Sequence, residues 1–156
     1  APPEPEFAEL GDAALGVVGP SQWEPLAAFS QEAAEGAGFS WIGPSSADFT
    51  AEYQAANDET PSYHAAGGYA AGLMLQQAII DADSTDLDAI NTALENLDVM
   101  TFFGYFKFDT TPEWHGLQVG HSMVYVQWQK DDSGNLVKQM VWPAEGASAS
   151  LLYPIP

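Results

Sequence analysis

The chain has 156 residues, of which 46% are apolar, and this is enough to build a core. It carries 22 acidic residues, three lysines and no arginine, for a formal net charge of −19. Nucleic acid and anionic lipid bind proteins through Lys and Arg, so this charge excludes both as partners. Cysteine is absent, which excludes disulfide bonds and thiolate chemistry.

The amino-terminal part predicts short elements separated by proline and glycine. Residues 1–6 contain three prolines, which lack a backbone N–H and indicate a linker. Three elements are predicted after it: a helical turn at 7–11, a buried strand at 14–18 and an Ala- and Glu-rich helix at 24–36. Gly19 and Pro20 are expected to end the strand, and Gly36 to end the helix.

Longer helices are predicted in the middle of the chain, at 46–57, 62–82 and 85–97. Ser45 with Asp48, and Thr85 with Asp88, have the spacing of a capping box, in which the first side chain accepts from an otherwise unpaired N–H. The second and third helices each have a stripe that predicts a buried face: Ala66, Tyr69, Leu73, Gln77 and Ile80 in one, and Leu87, Ile90, Leu94 and Leu97 in the other.

After residue 97 the apolar period changes from that of a helix to that of a strand. Strands are predicted at 103–108, 121–129 and 136–142, with a hairpin loop at 131–135. The apolar, proline-containing tail 151–156 is expected to lie extended against another part of the protein. Helices followed by antiparallel strands indicate only an α/β or α+β protein.

Motifs of catalysis and of metal or nucleotide binding are not found in the sequence. His115 and His121 flank a glycine turn and His64 is distant, whereas zinc sites need three or four closely spaced ligands. Ser21 follows Gly-Pro but lacks the second glycine of a hydrolase nucleophile elbow. A glycine-rich phosphate loop is also missing. We therefore predict no catalytic residue, no metal site and no cofactor.

Three aromatic side chains are candidates for contact with a small ligand. Trp23 follows a strand and a Gly-Pro break, a place where α/β sheets present side chains to ligands. Tyr63 and His64 stand at the start of a helix, where free N–H groups and the helix dipole favour a carboxylate. Packing in the core is the alternative for each of the three.

Five segments, taken in order, carry a family resemblance: ALGVVGPSQWEP at 14–25, FTAEYQAANDETPSYHAAGGYAAGLMLQQAI at 49–79, STDLDAINTALENLDVMTFFG at 84–104, QW at 127–128 and VWP at 141–143. Together they resemble the C-terminal part of the branched-chain amino acid (Leu/Ile/Val) type of ABC-transporter solute-binding protein. The resemblance implies a type I periplasmic-binding-protein fold of two Rossmann-like α/β lobes, with this chain supplying C-terminal pieces of both.

The resemblance also implies a function. The protein would be the solute-binding component of an ABC importer, would capture a small amino acid, amide or related carboxylate in an interlobe cleft, and would deliver it to a membrane permease. It would be periplasmic or extracellular, with a membrane tether upstream of Ala1 as one option. Trp23, Tyr63 and His64 are the positions of this chain that carry over as ligand contacts.

The same resemblance divides the chain: residues 1–23 end the second lobe and cross a hinge, 24–104 form the helical part of the first lobe, 105–120 a strand and a further crossing, and 121–156 the closing hairpin and tail on the second lobe. Family members are more than twice as long. We therefore expect the chain to need the missing N-terminal part, or a complementary chain, as a partner, and to be poorly folded alone.

Three other functions stay open on the sequence alone. A ligand-sensing ectodomain of the same fold would be followed by a transmembrane helix. A small secreted enzyme would need a convergent set of catalytic side chains, which the sequence does not display. A non-catalytic surface or filament subunit is compatible with the acidity and with the apolar tail.

Overall fold

A computed structural model describes residues 5–27 and 29–155. The chain forms two compact units, one drawn from Ala1–Ala28 and Met123–Pro156 (unit 1) and the other from Phe29–Ser122 (unit 2). Residues 1–4 of the predicted linker and residue 28 of the predicted helix lie outside the described residues, as does residue 156 of the tail.

Unit 1 is built on a three-stranded antiparallel sheet. In sheet order its strands are β1 (Val18–Ser21), β5 (Val124–Lys130) and β6 (Leu136–Trp142), and 3₁₀ segments lie at Pro5–Ala14 and Ala144–Gly146. The predicted hairpin is confirmed, and the Asp131 carboxylate closes its loop by accepting from the N–H groups of Ser133 and Asn135. The predicted strand 121–129 begins later than expected, at Val124.

The strand predicted at 14–18 was wrong in position. Residues up to Ala14 form the 3₁₀ segment, which contains the predicted turn 7–11 and also residues 5 and 6 of the predicted linker. Gly19 and Pro20 lie inside β1 instead of ending it. Proline is tolerated there because β1 is an edge strand, so its missing N–H costs little in ladder hydrogen bonds.

Unit 2 contains four helices and a second three-stranded sheet. Its elements are α1 (Gln31–Gly36), β2 (Ser40–Trp41), α2 (Ser46–Asn57), α3 (Tyr63–Ala82), α4 (Leu87–Glu95), β3 (Asp98–Thr101) and β4 (Gly104–Lys107). The strand order is β2-β3-β4, in which β2 runs parallel and β4 antiparallel to β3. The strand predicted at 103–108 is therefore the second arm of a β3–β4 hairpin.

Side-chain caps set the starts of these helices. Ser45 accepts from the N–H of Asp48 at 3.1 Å and Ser62 from that of Ala65 at 3.3 Å, so the two long helices begin where predicted. The cap predicted at Thr85 was wrong, since the carboxylate of the following residue, Asp86, accepts from two N–H groups of α4.

The helix predicted at 24–36 is confined to Gln31–Gly36, the residues of α1. Ser30 caps it by accepting from the N–H of Ala33 at 3.2 Å, which fixes the start of the helix at the next residue. Before that cap the chain makes a tight turn in which Ala27 donates its N–H to the carbonyl of Glu24 at 2.8 Å. The first part of the prediction was therefore wrong.

The buried face of α3 differs from the predicted one. Its buried side chains repeat every four residues: Ala66, Ala70, Met74 and Ala78. Of the predicted stripe, Ala66 is buried as expected and Leu73 and Gln77 are half-buried, but Tyr69 is 43% and Ile80 62% exposed. Small side chains let the backbone of α3 approach its neighbours closely, and this close packing outweighs burial of the larger residues.

The core of unit 2 includes Met74, Leu97 and Val99, against which Leu94 and other half-buried apolar residues pack. The predicted stripe 87–97 is mostly correct in burial, because Ile90 in α4 and Leu97 just beyond its end at Glu95 are buried. Leu87, at the first position of α4, is an exception because its side chain is 76% exposed.

Candidate functional site

The Thr-Phe-Phe-Gly sequence at 101–104 forms the turn of the β3–β4 hairpin. Thr101 is fully buried, and its Oγ1 accepts from the N–H of Phe103 at 3.0 Å and donates to the carbonyl of Gly104 at 3.2 Å. Gly104 has φ 135°, which an L side chain rarely adopts. A β-carbon there would also lie 2.3 Å from Nδ1 of His121. The turn therefore requires both its Thr and its Gly.

The two phenylalanines of this turn join the hairpin to the helices. The ring centroid of Phe102 lies 4.6 Å from that of Phe49 in α2 and 5.9 Å from that of Tyr69 in α3. The ring centroid of Phe103 lies 5.0 Å from that of His121. Phe102 is fully buried and Phe103 is 5% exposed. Both rings of the motif therefore serve to pack the turn against its neighbours.

Tyr63 and His64 are the first two residues of α3, next to the Ser62 cap. Their rings stack with centroids 4.0 Å apart and an interplanar angle of 30°. Tyr63 is half-buried and His64 is exposed, so both side chains are accessible. The position at a helix N-terminus gives the surrounding backbone a positive potential, which suits a carboxylate.

Trp23 belongs to unit 1, whereas Tyr63 and His64 belong to unit 2. Only 1% of the Trp23 surface is exposed. Its carbonyl accepts from the Ser21 hydroxyl at 3.0 Å. Burial of this degree favours the packing alternative for Trp23, and contact with a ligand there would need the surrounding chain to move.

The residue after Trp23 makes a buried ion pair. Lys138 Nζ, on β6, lies 2.7 Å from a carboxylate oxygen of Glu24, and the two side chains are 21% and 6% exposed. The pair ties the segment after β1 to the far strand of the sheet. It joins residues 114 positions apart, which sequence spacing could not connect.

An aromatic depression in unit 1 was missed by the sequence analysis. This depression, here called the unit 1 groove, is lined by Val18, Tyr125, Val141, Trp142 and Leu151. Tyr125 and Trp142 are register partners on β5 and β6, and their rings meet edge to face with centroids 5.8 Å apart. Alternation along β5 could have predicted that Tyr125 lies on the face of the sheet away from the buried Val124. The position of the tail residue Leu151 could not be predicted, because no pattern near it in the sequence indicates which strand it meets.

The cluster of Asp98, Tyr105 and Lys107 is the clearest electrostatic feature of unit 2. Lys107 Nζ lies 2.6 Å from one Asp98 oxygen, and the Tyr105 hydroxyl donates to the other at 2.8 Å. The Lys107 ammonium, followed by the Tyr105 hydroxyl, lowers the pKa of Asp98 from its ordinary 3.8. The Asp98 carboxylate raises the pKa of Lys107 above its ordinary 10.5.

These pKa shifts predict a pH window. The lowered pKa of Asp98 gives stability that is present above pH 3.8 and lost as pH falls through the folded-state value. The raised pKa of Lys107 gives stability present below pH 10.5 and lost as pH rises. The difference in unfolding free energy between wild type and Asp98→Asn should therefore be small but constant between these limits, and should shrink in acid. Denaturant titrations over pH would measure it, and a difference that persists undiminished in strong acid would contradict the assignment.

Metal binding finds no support among the described residues. No group of three or more His, Asp or Glu side chains is placed there to hold a metal ion. His115 instead lies 2.9 Å from the Glu95 carboxylate. Within the same residues, no helix is long and apolar enough to cross a membrane.

The described residues form a mixed α/β protein. In a comparison with protein families, the sequence model of the family described as periplasmic binding protein matches residues 4–134. The chain therefore belongs to the periplasmic binding protein family, in its type I, branched-chain amino acid branch. This confirms the resemblance that the ordered motifs carried.

A solved structure agrees in fold. An ABC transporter substrate-binding protein from Sphaerobacter thermophilus matches with a TM-score of 0.59 and 23% identity, over 85% of this chain and 32% of that chain. The likeness confirms the expected periplasmic-binding-protein-like fold, and this chain spans only 32% of that protein's length. A comparison with curated proteins gave no match.

Proposed function

We propose that the full-length protein containing this chain is the solute-binding component of an ABC importer. It captures a small amino acid, amide or related carboxylate and releases it, chemically unchanged, to a membrane permease. The observation that carries the proposal is the family match over residues 4–134. Such a protein works outside the cytoplasmic membrane, in the periplasm or at the cell surface.

Within this chain, we assign ligand contact to the paired rings of Tyr63 and His64. Three features support the assignment: the rings are stacked, they are accessible, and they stand at the positive end of the 20-residue helix α3. A carboxylate near the first turn would accept from backbone N–H groups while the Tyr63 ring covers the apolar part of the ligand. Trp23 is kept as a third contact, reached only if its surroundings open.

A thermal-shift screen of the full-length protein with amino acids, amides and aromatic acids tests the function. A ligand that binds the folded state must raise the melting temperature by mass action. With the best ligand, Tyr63→Ala should weaken binding by about 1–3 kcal/mol because it removes a partly buried aromatic contact. Calorimetric titration would measure this change.

Tyr53→Ala is the matched control, since Tyr53 is also a half-buried tyrosine of a unit 2 helix. It should leave ligand affinity unchanged. If no compound of these classes stabilises the protein, the proposed function is wrong. If a ligand binds but Tyr63→Ala and Tyr53→Ala behave alike, the function stands and the site assignment is wrong.

A further inference from the structure

We propose that residues 148–155, here called the strap, form a latch on the outer face of the unit 1 sheet. The strap opens locally, without unfolding of the sheet, and in its closed state it supplies one wall of the unit 1 groove. The side-chain carboxamides of Gln127 and Gln129 hold it closed. The proposal concerns unit 1 alone and does not depend on the transported ligand.

Gln127 is the main fastening. It is 1% exposed, and its Oε1 accepts from the N–H of Leu152 at 2.7 Å while its Nε2 donates to the carbonyl of the same residue at 3.1 Å. Nε2 also donates to the carbonyl of Gly16 at 3.1 Å, and Oε1 accepts from Gln129. All four hydrogen-bonding sites of the carboxamide are thus occupied. The carboxamide bonds to both the N–H and the carbonyl of Leu152, as the backbone of a neighbouring strand would.

The two ends of the strap are held differently. At its start, the N–H groups of Ser148 and Ala149 donate to the carbonyl of Met140, so this end belongs to the edge of β6. Beyond Ala149 the strap is bonded to side chains of the sheet, since Gln129 donates to the carbonyl of Ser150 at 2.9 Å and Gln127 accepts from the N–H of Leu152 at 2.7 Å. The strap therefore has a fixed start and a releasable end.

Most apolar side chains at that end are exposed. Leu151 is 57%, Tyr153 86% and Ile155 41% exposed, whereas Leu152 is half-buried and Ile155 packs against Gly16. The core of unit 1 lies on the opposite face of the sheet, where Val124 and Val126 are fully buried and do not depend on the strap. Segments with few buried apolar contacts open at a lower free energy than the whole domain.

Opening of the strap has a direct consequence for the groove. Leu151 lines the groove together with Tyr125 and Trp142, so displacement of the strap removes one wall and leaves these two rings open to solvent. The same displacement uncovers the Gln127 carboxamide, which pairs with a peptide backbone when closed. The state of the strap therefore decides whether the groove exists.

Hydrogen exchange of the full-length protein, read by mass spectrometry, tests the proposal with Gln127→Met. In wild type, the backbone amides of residues 150–153 and 155 should exchange faster than those of β5 and β6, because they open locally. In Gln127→Met, exchange at 150–155 should rise about tenfold, since the substitution removes both hydrogen bonds from the buried Gln127 carboxamide to Leu152 of the strap. Gln129→Met, which removes one bond to Ser150, should have a smaller effect of the same kind.

Gln54→Met is the control, because Gln54 is an exposed glutamine of unit 2 and should leave strap exchange unchanged. The indole N–H resonance of Trp142 should shift in Gln127→Met, while those of Trp41 and Trp114 stay in place. Two results would overturn the proposal: exchange at 150–155 that always matches that of the strands, or strap exchange in Gln127→Met and Gln129→Met equal to wild type. If Gln127→Met does not fold, Gln129→Met alone decides between these outcomes.

Discussion

Replacing Phe102 by alanine should lower the free energy of unfolding by about 3–5 kcal/mol, the range found for large aromatic truncations in cores. Phe102 is fully buried at the tip of the β3–β4 turn. Its ring meets Phe49 at 4.6 Å and Tyr69 at 5.9 Å, so one side chain joins the hairpin to α2 and α3. Deleting it leaves a cavity where three elements meet. Denaturant unfolding followed by circular dichroism would measure the loss.

Two variants sharpen this test. Trp114→Ala removes a larger ring from the same unit, but Trp114 is 56% exposed, so its effect should stay within about 0.5 kcal/mol. Phe102→Leu keeps most of the buried volume and should cost clearly less than Phe102→Ala. Equal costs for Phe102→Ala and Trp114→Ala would show that the turn is not a core element.

Local signals predicted the parts of the fold that depend on a few neighbouring residues. Ser45 caps α2 as its spacing with Asp48 indicated, and Ser62 begins α3 where expected. The Asp-rich loop 131–135 closes the final hairpin because Asp131 bonds to the N–H groups that follow it. In each case the two interacting groups lie within a few residues of each other, so the local sequence is enough to predict the interaction.

Elements that depend on distant partners were predicted less well. β1 was placed at 14–18 because the apolar run ends at Gly19, yet its position is set by pairing with β5, more than a hundred residues later. The predicted face of α3 was correct at Ala66 but also included the exposed Tyr69 and Ile80, whereas the structure buries Ala70, Met74 and Ala78. Tertiary packing overrides local preference in both cases.

The candidate site shows the same division. The position of Tyr63 and His64 at a helix start followed from Pro61 and the pattern after it, and the structure places them there. The burial of Trp23 could not be read from its position after a strand. The carboxylate of its neighbour Glu24 pairs with Lys138 on β6, and the groove includes Leu151 from the tail, so both depend on residues far along the chain. Family membership, in contrast, was evident from five ordered segments without any knowledge of contacts.

The Glu24–Lys138 pair leads to the second large effect. A buried ion pair adds little net stability relative to apolar side chains, because removal of both charges from water costs nearly as much as their attraction returns. Loss of one partner is different, since the remaining charge is left without compensation in a site that water does not reach. Glu24, at 6% side-chain exposure, is such a site.

Lys138→Met should therefore destabilise the protein by about 3–5 kcal/mol, whereas the double variant Glu24→Gln, Lys138→Met should recover much of that loss because no charge then remains buried.

Lys130→Met is the matched control on the same hairpin. Lys130 lies 2.8 Å from Asp12, but the two side chains are 44% and 86% exposed, so its loss should be far smaller than that of Lys138. Denaturant unfolding of wild type, Glu24→Gln, Lys138→Met and the double variant completes a double-mutant cycle, with Lys130→Met as a fifth, control protein. If Lys138→Met costs no more than Lys130→Met, or if the double variant is less stable than Lys138→Met alone, the pair does not hold the segment after β1 to the sheet in the way its geometry indicates.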